Sequence, residues 1–355
     1  MTNRRDVATR GARSGMQGEI MGKSLTKDRI RWGVMGPGGI ARQFTKELKT
    51  STNAEVYAVG SRSINRANAF AETFEIPKAY GSYDELVSDP DVDIIYVATP
   101  HPQHRENALL CIEAGKAVLC EKPFAVNARE TSEIVNAARE KKVFLMEAMW
   151  TRYLPTIKQV RRWINGGAIG EVKLLNVAFG FKAPWNPDWR MLNKELGGGA
   201  VLDAGIYTTS FASYVFGAQP SRIESIARIG STDVDEWFSA LFDYGDDRMA
   251  LISNAIRLPL RTEAVIHGTD GRIDVPSFLS AKSATLHHVG RTEESFTDHA
   301  PGRGMIHEAE EAMRCLREGL LESPVMKVDE TVAIMKTLDA VRKPWGLVFP
   351  ADTEQ

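Results

Sequence analysis

From Ile30 the chain alternates short, β-branched apolar runs with stretches in which apolar residues recur every three or four positions. That alternation predicts βαβ units feeding a parallel sheet. Strands are expected at Ile30 to Met35, Glu55 to Gly60, Asp93 to Ala98, Ala117 to Cys120 and Val143 to Glu147, with helices such as Ala67 to Phe74 and Asn127 to Lys141 between them. After Trp150 the pattern changes. A helix ends at Gly166–Gly167, and longer alternating runs follow at Val172 to Phe181, Trp237 to Tyr244 and Arg248 to Ala255. Period-2 alternation predicts a largely antiparallel sheet, with Gly245–Asp246 and Asp270–Gly271 as hairpin turns. Two last helical patterns, Gly304 to Gly319 and Asp329 to Val341, are expected to cover one face. The organisation expected is α/β: a doubly wound Rossmann domain over 30–150 and an α/β domain with a large, mostly antiparallel open sheet over 151–355.

Residues 1–29 break this pattern. They hold Arg4, Arg5, Arg10 and Arg13 with little apolar periodicity, which reads as a disordered lead-in; later starts at Met16 or Met21, or an Arg- and Ser-containing transit peptide, are alternatives. The 355 residues suit two domains. With 44 basic and 46 acidic side chains the chain lacks the positive field that nucleic-acid binding needs. Cys111, Cys120 and Cys315 form no C-x-x-C pair and no even-numbered framework, so a reducing, cytoplasmic setting is expected. No apolar run approaches a membrane span.

The chemistry lies at the ends of the expected strands. Gly36-Pro37-Gly38-Gly39-Ile40-Ala41 follows the first strand and opens a helix, the arrangement that cradles a dinucleotide pyrophosphate. Gly36 allows the tight turn, Gly38 the close approach of the backbone, and Ala41 close helix–strand packing. At the end of the second strand stand Ser61 and Arg62, where an acid would bind the ribose 2′-hydroxyl of NAD. A hydroxyl and a guanidinium suit a 2′-phosphate instead, which favours NADP over NAD. Thr99-Pro100-His101-Pro102-Gln103-His104 and Cys120-Glu121-Lys122-Pro123 occupy further strand ends, where doubly wound sheets place ligands. His287–His288 lacks the spacing of a metal site and reads as surface strand, so no metal is expected.

Together with Gly197-Gly198-Gly199-Ala200-Val201-Leu202-Asp203-Ala204-Gly205-Ile206-Tyr207, these motifs closely resemble the Gfo/Idh/MocA oxidoreductases, the glucose–fructose oxidoreductase and inositol dehydrogenase family, over nearly everything from Ile30 onward. The resemblance implies hydride transfer on a sugar-like or cyclic alcohol, and oligomerisation through the open sheet as a homodimer or homotetramer. It implies that Lys122 is the catalytic lysine, that Asp203 supports it, and that Thr99, Pro100, His104 and Glu121 lie along the nicotinamide. Trp189-Arg190 matches a pair that contacts the cofactor. Many members carry histidine where this chain has Tyr207. That departure, with Met146 to Arg152, is similar to the branch holding dimeric dihydrodiol dehydrogenase and NADP-dependent xylose dehydrogenase. Tyr207 is then the expected acid/base, its pKa lowered by Lys122, with Asp203 orienting Lys122. Trp150 and Arg152 are expected beside the substrate, and Trp150, Phe179, Trp185 and Trp237 could wall a ring. The expected function is an NADP-dependent dehydrogenase of sugars or cyclic vicinal diols, trans-dihydrodiols or xylose among them. A non-enzymatic NADP-responsive regulator and an enzyme using the nicotinamide transiently, without net redox, are the alternatives.

Overall fold

The computed structural model describes residues 24–290 and 292–353. The expectations for 1–23 therefore lie outside the described residues. In the first half, six strands, β1 (Ile30–Met35), β2 (Ala54–Gly60), β3 (Lys78–Tyr80), β4 (Ile94–Val97), β5 (Ala117–Glu121) and β6 (Leu145–Ala148), form one sheet in the order β3-β2-β1-β4-β5-β6. Every pairing in it is parallel. The central strands are buried on both faces, which is why they read as unbroken apolar runs. The helices α1 (Gly39–Leu48), α2 (Ile64–Phe74), α3 (Tyr83–Ser88), α4 (His104–Glu113) and α5 (Ala128–Lys141) provide the crossovers. The order reverses between β1 and β4, and the crevice above that switch point lies over the glycine loop and Thr99.

The second half begins at α6 (Pro155–Asn165) and builds eight strands: β7 (Val172–Gly180), β8 (Arg222–Ile229), β9 (Asp235–Gly245), β10 (Arg248–Ala255), β11 (Glu263–Gly268), β12 (Gly271–Pro276), β13 (Ser283–His288) and β14 (Glu294–Thr297). Their order is β14-β13-β12-β11-β7-β10-β9-β8. The sheet is mostly antiparallel, but β7 and β10 pair in parallel, because β7 comes from the start of the domain and inserts between two hairpin systems. Helices α7 (Ile206–Phe216) and α9 (Val328–Arg342) cover one face, and α8 (Ile306–Glu318) packs between α1 and the turn Trp150–Tyr153. Residues 24–29, grouped with the lead-in on composition, are tied to the fold: the Leu25 amide donates to Leu316 O at 3.1 Å, and Lys27 pairs with Asp93 at 2.7 Å. Among the described residues no helix is long and apolar enough to cross a membrane.

Candidate active site

A cleft of about 560 Å³ runs from the glycine loop, past Ser61 and Thr99, to Lys122 and Tyr207. Its floor follows from the sheet. Strands β1, β2, β4 and β5 all end at this edge, and each contributes the residues just beyond its last pairing. Gly36 has φ +89° and a Cβ there would meet Thr99 Cγ2 at 2.9 Å, so the turn is restricted to glycine. A Cβ on Gly38 or Gly39 would meet nothing within 4 Å. These two glycines leave a bare backbone cradle at the N-terminus of α1, and that cradle fits a pyrophosphate. Ile40 lines the cleft, while Ala41 is buried against the sheet as the packing argument requires.

The ribose end is basic. Ser61, Arg62, Ser63, Arg66 and Tyr83 line it, with no carboxylate among them. Arg66 escaped the sequence reading; it stands one helical turn after Arg62, and that spacing was the available signal. Neither guanidinium is paired with an acid among the described residues, and both act on Tyr83, whose pKa burial nevertheless raises.

Thr99, Pro100, His101, Gln103 and His104 line the middle of the cleft. His104 is fully buried, with Nε2 2.8 Å from Thr99 O and Nδ1 2.9 Å from Pro123 O, so it ties the strand-end loop after β4 to the turn after β5. Burial lowers its pKa to about 4, against two carbonyls that favour the charged ring. Asn107 donates to Thr99 Oγ1 at 2.9 Å and holds the threonine from the first turns of α4.

At the inner end, Lys122 Nζ lies 4.5 Å from the centre of the Tyr207 ring, and Trp150 Nε1 donates to the Tyr207 hydroxyl at 3.1 Å. The Phe179 and Trp150 rings both stand edge-on to Tyr207, at 5.8 and 6.5 Å. Burial is the largest influence on Tyr207 and raises its pKa, with Lys122 pulling the other way. The net direction reverses the expected lowering, because an enclosed phenolate loses more hydration than one ammonium returns.

Other expectations are corrected. Asp203 does not hold Lys122 through its carboxylate: that group pairs with Arg190, at 2.8 and 3.0 Å, and Lys122 Nζ meets only the Asp203 backbone oxygen, at 3.5 Å. Arg190, also 3.3 Å from His101 Nε2, is the stronger partner because its fork matches a carboxylate. Arg152 does not line this cleft. In the tight turn Trp150–Tyr153 it points to the far side of α7, donating to Ser210 Oγ at 3.1 Å and to Glu330 at 2.8 Å beside a separate cavity of about 840 Å³. Trp237 faces the outer side of the sheet, since its neighbour Phe238 is the residue packed inward. Trp185 and Trp189 are exposed and absent from the cleft wall, Trp185 lying under the Arg257 guanidinium at 5.4 Å. His287 sits on β13 between Asp274 and Glu293, at 2.9 and 2.6 Å, and among the described residues no cluster could hold a metal ion.

Residues 30–149 match a family model described as an oxidoreductase family with an NAD-binding Rossmann fold, and residues 157–274 match the Gfo/Idh/MocA C-terminal domain. Trans-1,2-dihydrobenzene-1,2-diol dehydrogenase of Mus musculus is 39% identical over 336 residues, covering 91% of this chain and 99% of that one. The Homo sapiens enzyme of the same name is 38% identical over 332 residues, with 91% and 99% coverage. A 3-ketoreductase from Actinomadura kijaniata, solved with NADP and TDP-benzene, superposes with a TM-score of 0.78 at 26% identity, over 89% of this chain and 97% of that one. Levoglucosan dehydrogenase in complex with NADH and levoglucosan shares the fold, with a TM-score of 0.82 at 18% identity over 89% and 96% of the two chains. The glycine loop, the strand-end histidines, the E-K-P lysine and the D-x-G-x-Y segment thus meet in one cleft of a chain that belongs to the Gfo/Idh/MocA oxidoreductase family.

Proposed function

We propose that this chain is an NADP-preferring dehydrogenase that interconverts a secondary alcohol and a ketone, or a cyclic hemiacetal and a lactone, on a sugar or a cyclic vicinal diol. The observation that carries the reading is the inner end of the cleft, where Tyr207 and Lys122 meet against Trp150 and Phe179. When bound, the nicotinamide accepts or donates the hydride. Tyr207 exchanges the proton of the substrate hydroxyl, and Lys122 donates a hydrogen bond to the same oxygen and stabilises charge on it. Arg190 and Asp203 hold each other at the cleft wall, and His104 fixes the two loops that carry Thr99 and Lys122. The relatives named for a dihydrodiol favour that class of substrate. The basic, acid-free ribose end favours NADP. In this reading residues 30–150 bind the cofactor and residues 151–355 the substrate.

The test is an initial-rate screen of trans-1,2-dihydrobenzene-1,2-diol, D-xylose, D-glucose and inositols with NADP and with NAD, followed at the reduced-nicotinamide absorbance. Net reduction of NADP by a diol or sugar is expected. Cofactor binding with no turnover of any compound would make the chain a regulator, and substrate conversion without net absorbance change would make its nicotinamide use transient.

A further inference from the structure

The cavity of about 840 Å³ beside Arg152 lies between α6, the C-terminal half of α7 and the start of α9, and it shares no lining residue with the cofactor cleft. Its volume falls in the range of small-molecule sites. Five cations and two carboxylates line it. Both carboxylates are engaged. Glu330 accepts from Arg152 Nη2 at 2.8 Å and from Ser213 Oγ at 2.6 Å, and Asp329 pairs at 2.8 Å with Arg139, which is no part of the cavity wall. Three of the cations, Lys158, Arg162 and Lys327, have no acid partner among the described residues. Arg162 meets only the neutral Gln159 Oε1, at 3.2 Å, and the two ammonium groups have no hydrogen-bond partner. Lys158, Arg161 and Arg162 stand at i, i+3 and i+4 of α6 and share one face. Like charges at this spacing repel each other, and an anion between them turns that repulsion into attraction.

The inner wall is held rigidly. Arg152 is 3% exposed and is fixed by Nε on Ser210 Oγ at 3.1 Å and by Nη2 on Glu330 and on the Ser210 carbonyl, each at 2.8 Å. Its Nη1 has no hydrogen-bond partner among the described residues. A guanidinium nitrogen so enclosed in a cavity wall calls for an acceptor inside the cavity. Arg161 is anchored as well, donating to the Tyr214 carbonyl, and both guanidiniums lie 5.0 Å from the centre of the Tyr214 ring. Cations therefore arrive from three elements: the turn Trp150–Tyr153, α6, and Lys327 at the start of α9. Donors converging from several directions match the tetrahedral oxygens of a phosphate better than the two coplanar oxygens of a carboxylate.

We propose that this cavity binds a small phosphorylated molecule carrying at least two negative charges, with Arg152 Nη1 and the Arg161 guanidinium at its inner end and the exposed Lys158, Arg162 and Lys327 around its mouth. The chain as a whole carries a net charge of −2, and two acids sit in the cavity wall, so the positive potential is confined to the hollow. That confinement suits a small anion rather than a nucleic acid or a membrane surface. The inference does not rest on the dehydrogenase reading.

The test titrates the full-length protein with sodium pyrophosphate by isothermal calorimetry at low, matched ionic strength, with NADP saturating so that the phosphate cradle of the cofactor cleft is filled. One site per chain with a Kd below about 1 mM is expected. The triple variant Lys158→Gln, Arg162→Gln, Lys327→Gln should weaken it roughly tenfold or more, with NADP affinity kept within about twofold. These three side chains are exposed and pair with no acid, so the variant should fold as the parent does. Arg152→Lys keeps a cation beside Glu330, removes one arm of the fork and should weaken pyrophosphate severalfold. Absence of saturable heat with NADP bound, or a triple variant that binds as the parent does, overturns the site. Tighter binding of citrate than of pyrophosphate overturns the phosphate assignment.

Discussion

At Tyr207, burial and a neighbouring ammonium act in opposite directions, and burial wins, which leaves the phenol protonated through neutral pH. Oxidation that uses this group as a base should quicken as the pH rises from neutral into the alkaline range. Ketone reduction, which needs the phenol protonated, should stay level over that range, and initial-rate pH profiles in both directions check the pair. Tyr207→Phe removes only the hydroxyl and should cost roughly 10²–10⁴ in kcat with NADP binding intact. Lys122→Met should cost about as much, and the double variant little more, because the groups act as a unit. Single-turnover hydride transfer measures this; near-parental turnover in Tyr207→Phe would transfer the acid/base role to Lys122. At the ribose end, a charge-assisted contact is worth about 1.5–3 kcal/mol, hence roughly tenfold to a hundredfold in NADP preference. Ser61→Asp should reverse that preference, and Arg62→Ala with Arg66→Ala should abolish it while leaving NAD kinetics nearly unchanged; comparing kcat/KM for the two cofactors decides. Equal efficiency with both in the parent would refute the phosphate reading.

The element that presents both Asp203 and Tyr207 is irregular. Residues Val201–Gly205 form a wide π turn that runs into α7, and its first amide, Val201 N, is held at 2.7 Å by the buried Asp235 carboxyl at the start of β9. Asp235→Ala would leave that amide unsatisfied and should cost about 1–3 kcal/mol in urea unfolding, whereas Asp235→Asn retains an acceptor and should cost less. Equal losses in the two variants would mean that the contact does not hold the turn. This element also marks how far the sequence could be read. The parallel sheet was legible except for its short edge strand β3, because strands such as Ile94–Val97 are buried on both faces and appear as plain apolar runs, whereas Lys78–Tyr80 is three half-buried residues. Strands β8, β13 and β14 were not, and of the β11–β12 hairpin only the turn at Asp270–Gly271 was. Residues Arg222–Ile229, for example, point alternately at helix α9 and at solvent, with Ile226 on the outside, and the pattern carries no clear apolar face. The glycine loop and the E-K-P lysine could be placed because each follows a strand end. The partner of Asp203 could not, since Arg190 and Lys122 were both available and only the folded loop selects between them. The tight turn after Trp150 likewise sent Arg152 away from Tyr207, whose hydroxyl Trp150 holds.

At the scale of the whole molecule, buried acids and an uncovered sheet face make separate demands. Burial raises Glu147 to about 7, so the folded state binds this proton more tightly than the unfolded chain does. Its contribution is complete below the ordinary pKa of 4.5 and is lost as the pH climbs to about 7. The loss amounts to about 3 kcal/mol, and Glu147→Gln should flatten the slope in urea unfolding between about pH 5 and about pH 8. An unchanged slope would show that other groups set it. The outer face of the eight-stranded sheet carries Ile226, Leu251 and Met249 at 82%, 46% and 40% exposure, and the register sets Leu251 opposite Leu241 and Met249 opposite Leu174. These residues form an aliphatic patch across neighbouring strands rather than scattered surface leucines. Eight strands at about 4.8 Å spacing and about 20 Å of length present roughly 700 Å², close to the roughly 800 Å² that each partner commits to a standard interface. The face can thus form a two-fold pair with a second copy of the chain, each supplying the same patch. A dimer is therefore expected in solution. Ile226→Glu with Leu251→Arg should convert it to monomers in sedimentation while NADP affinity is retained, because neither residue reaches the cleft. A parent that sediments as a monomer at micromolar concentration would show that this face stays open.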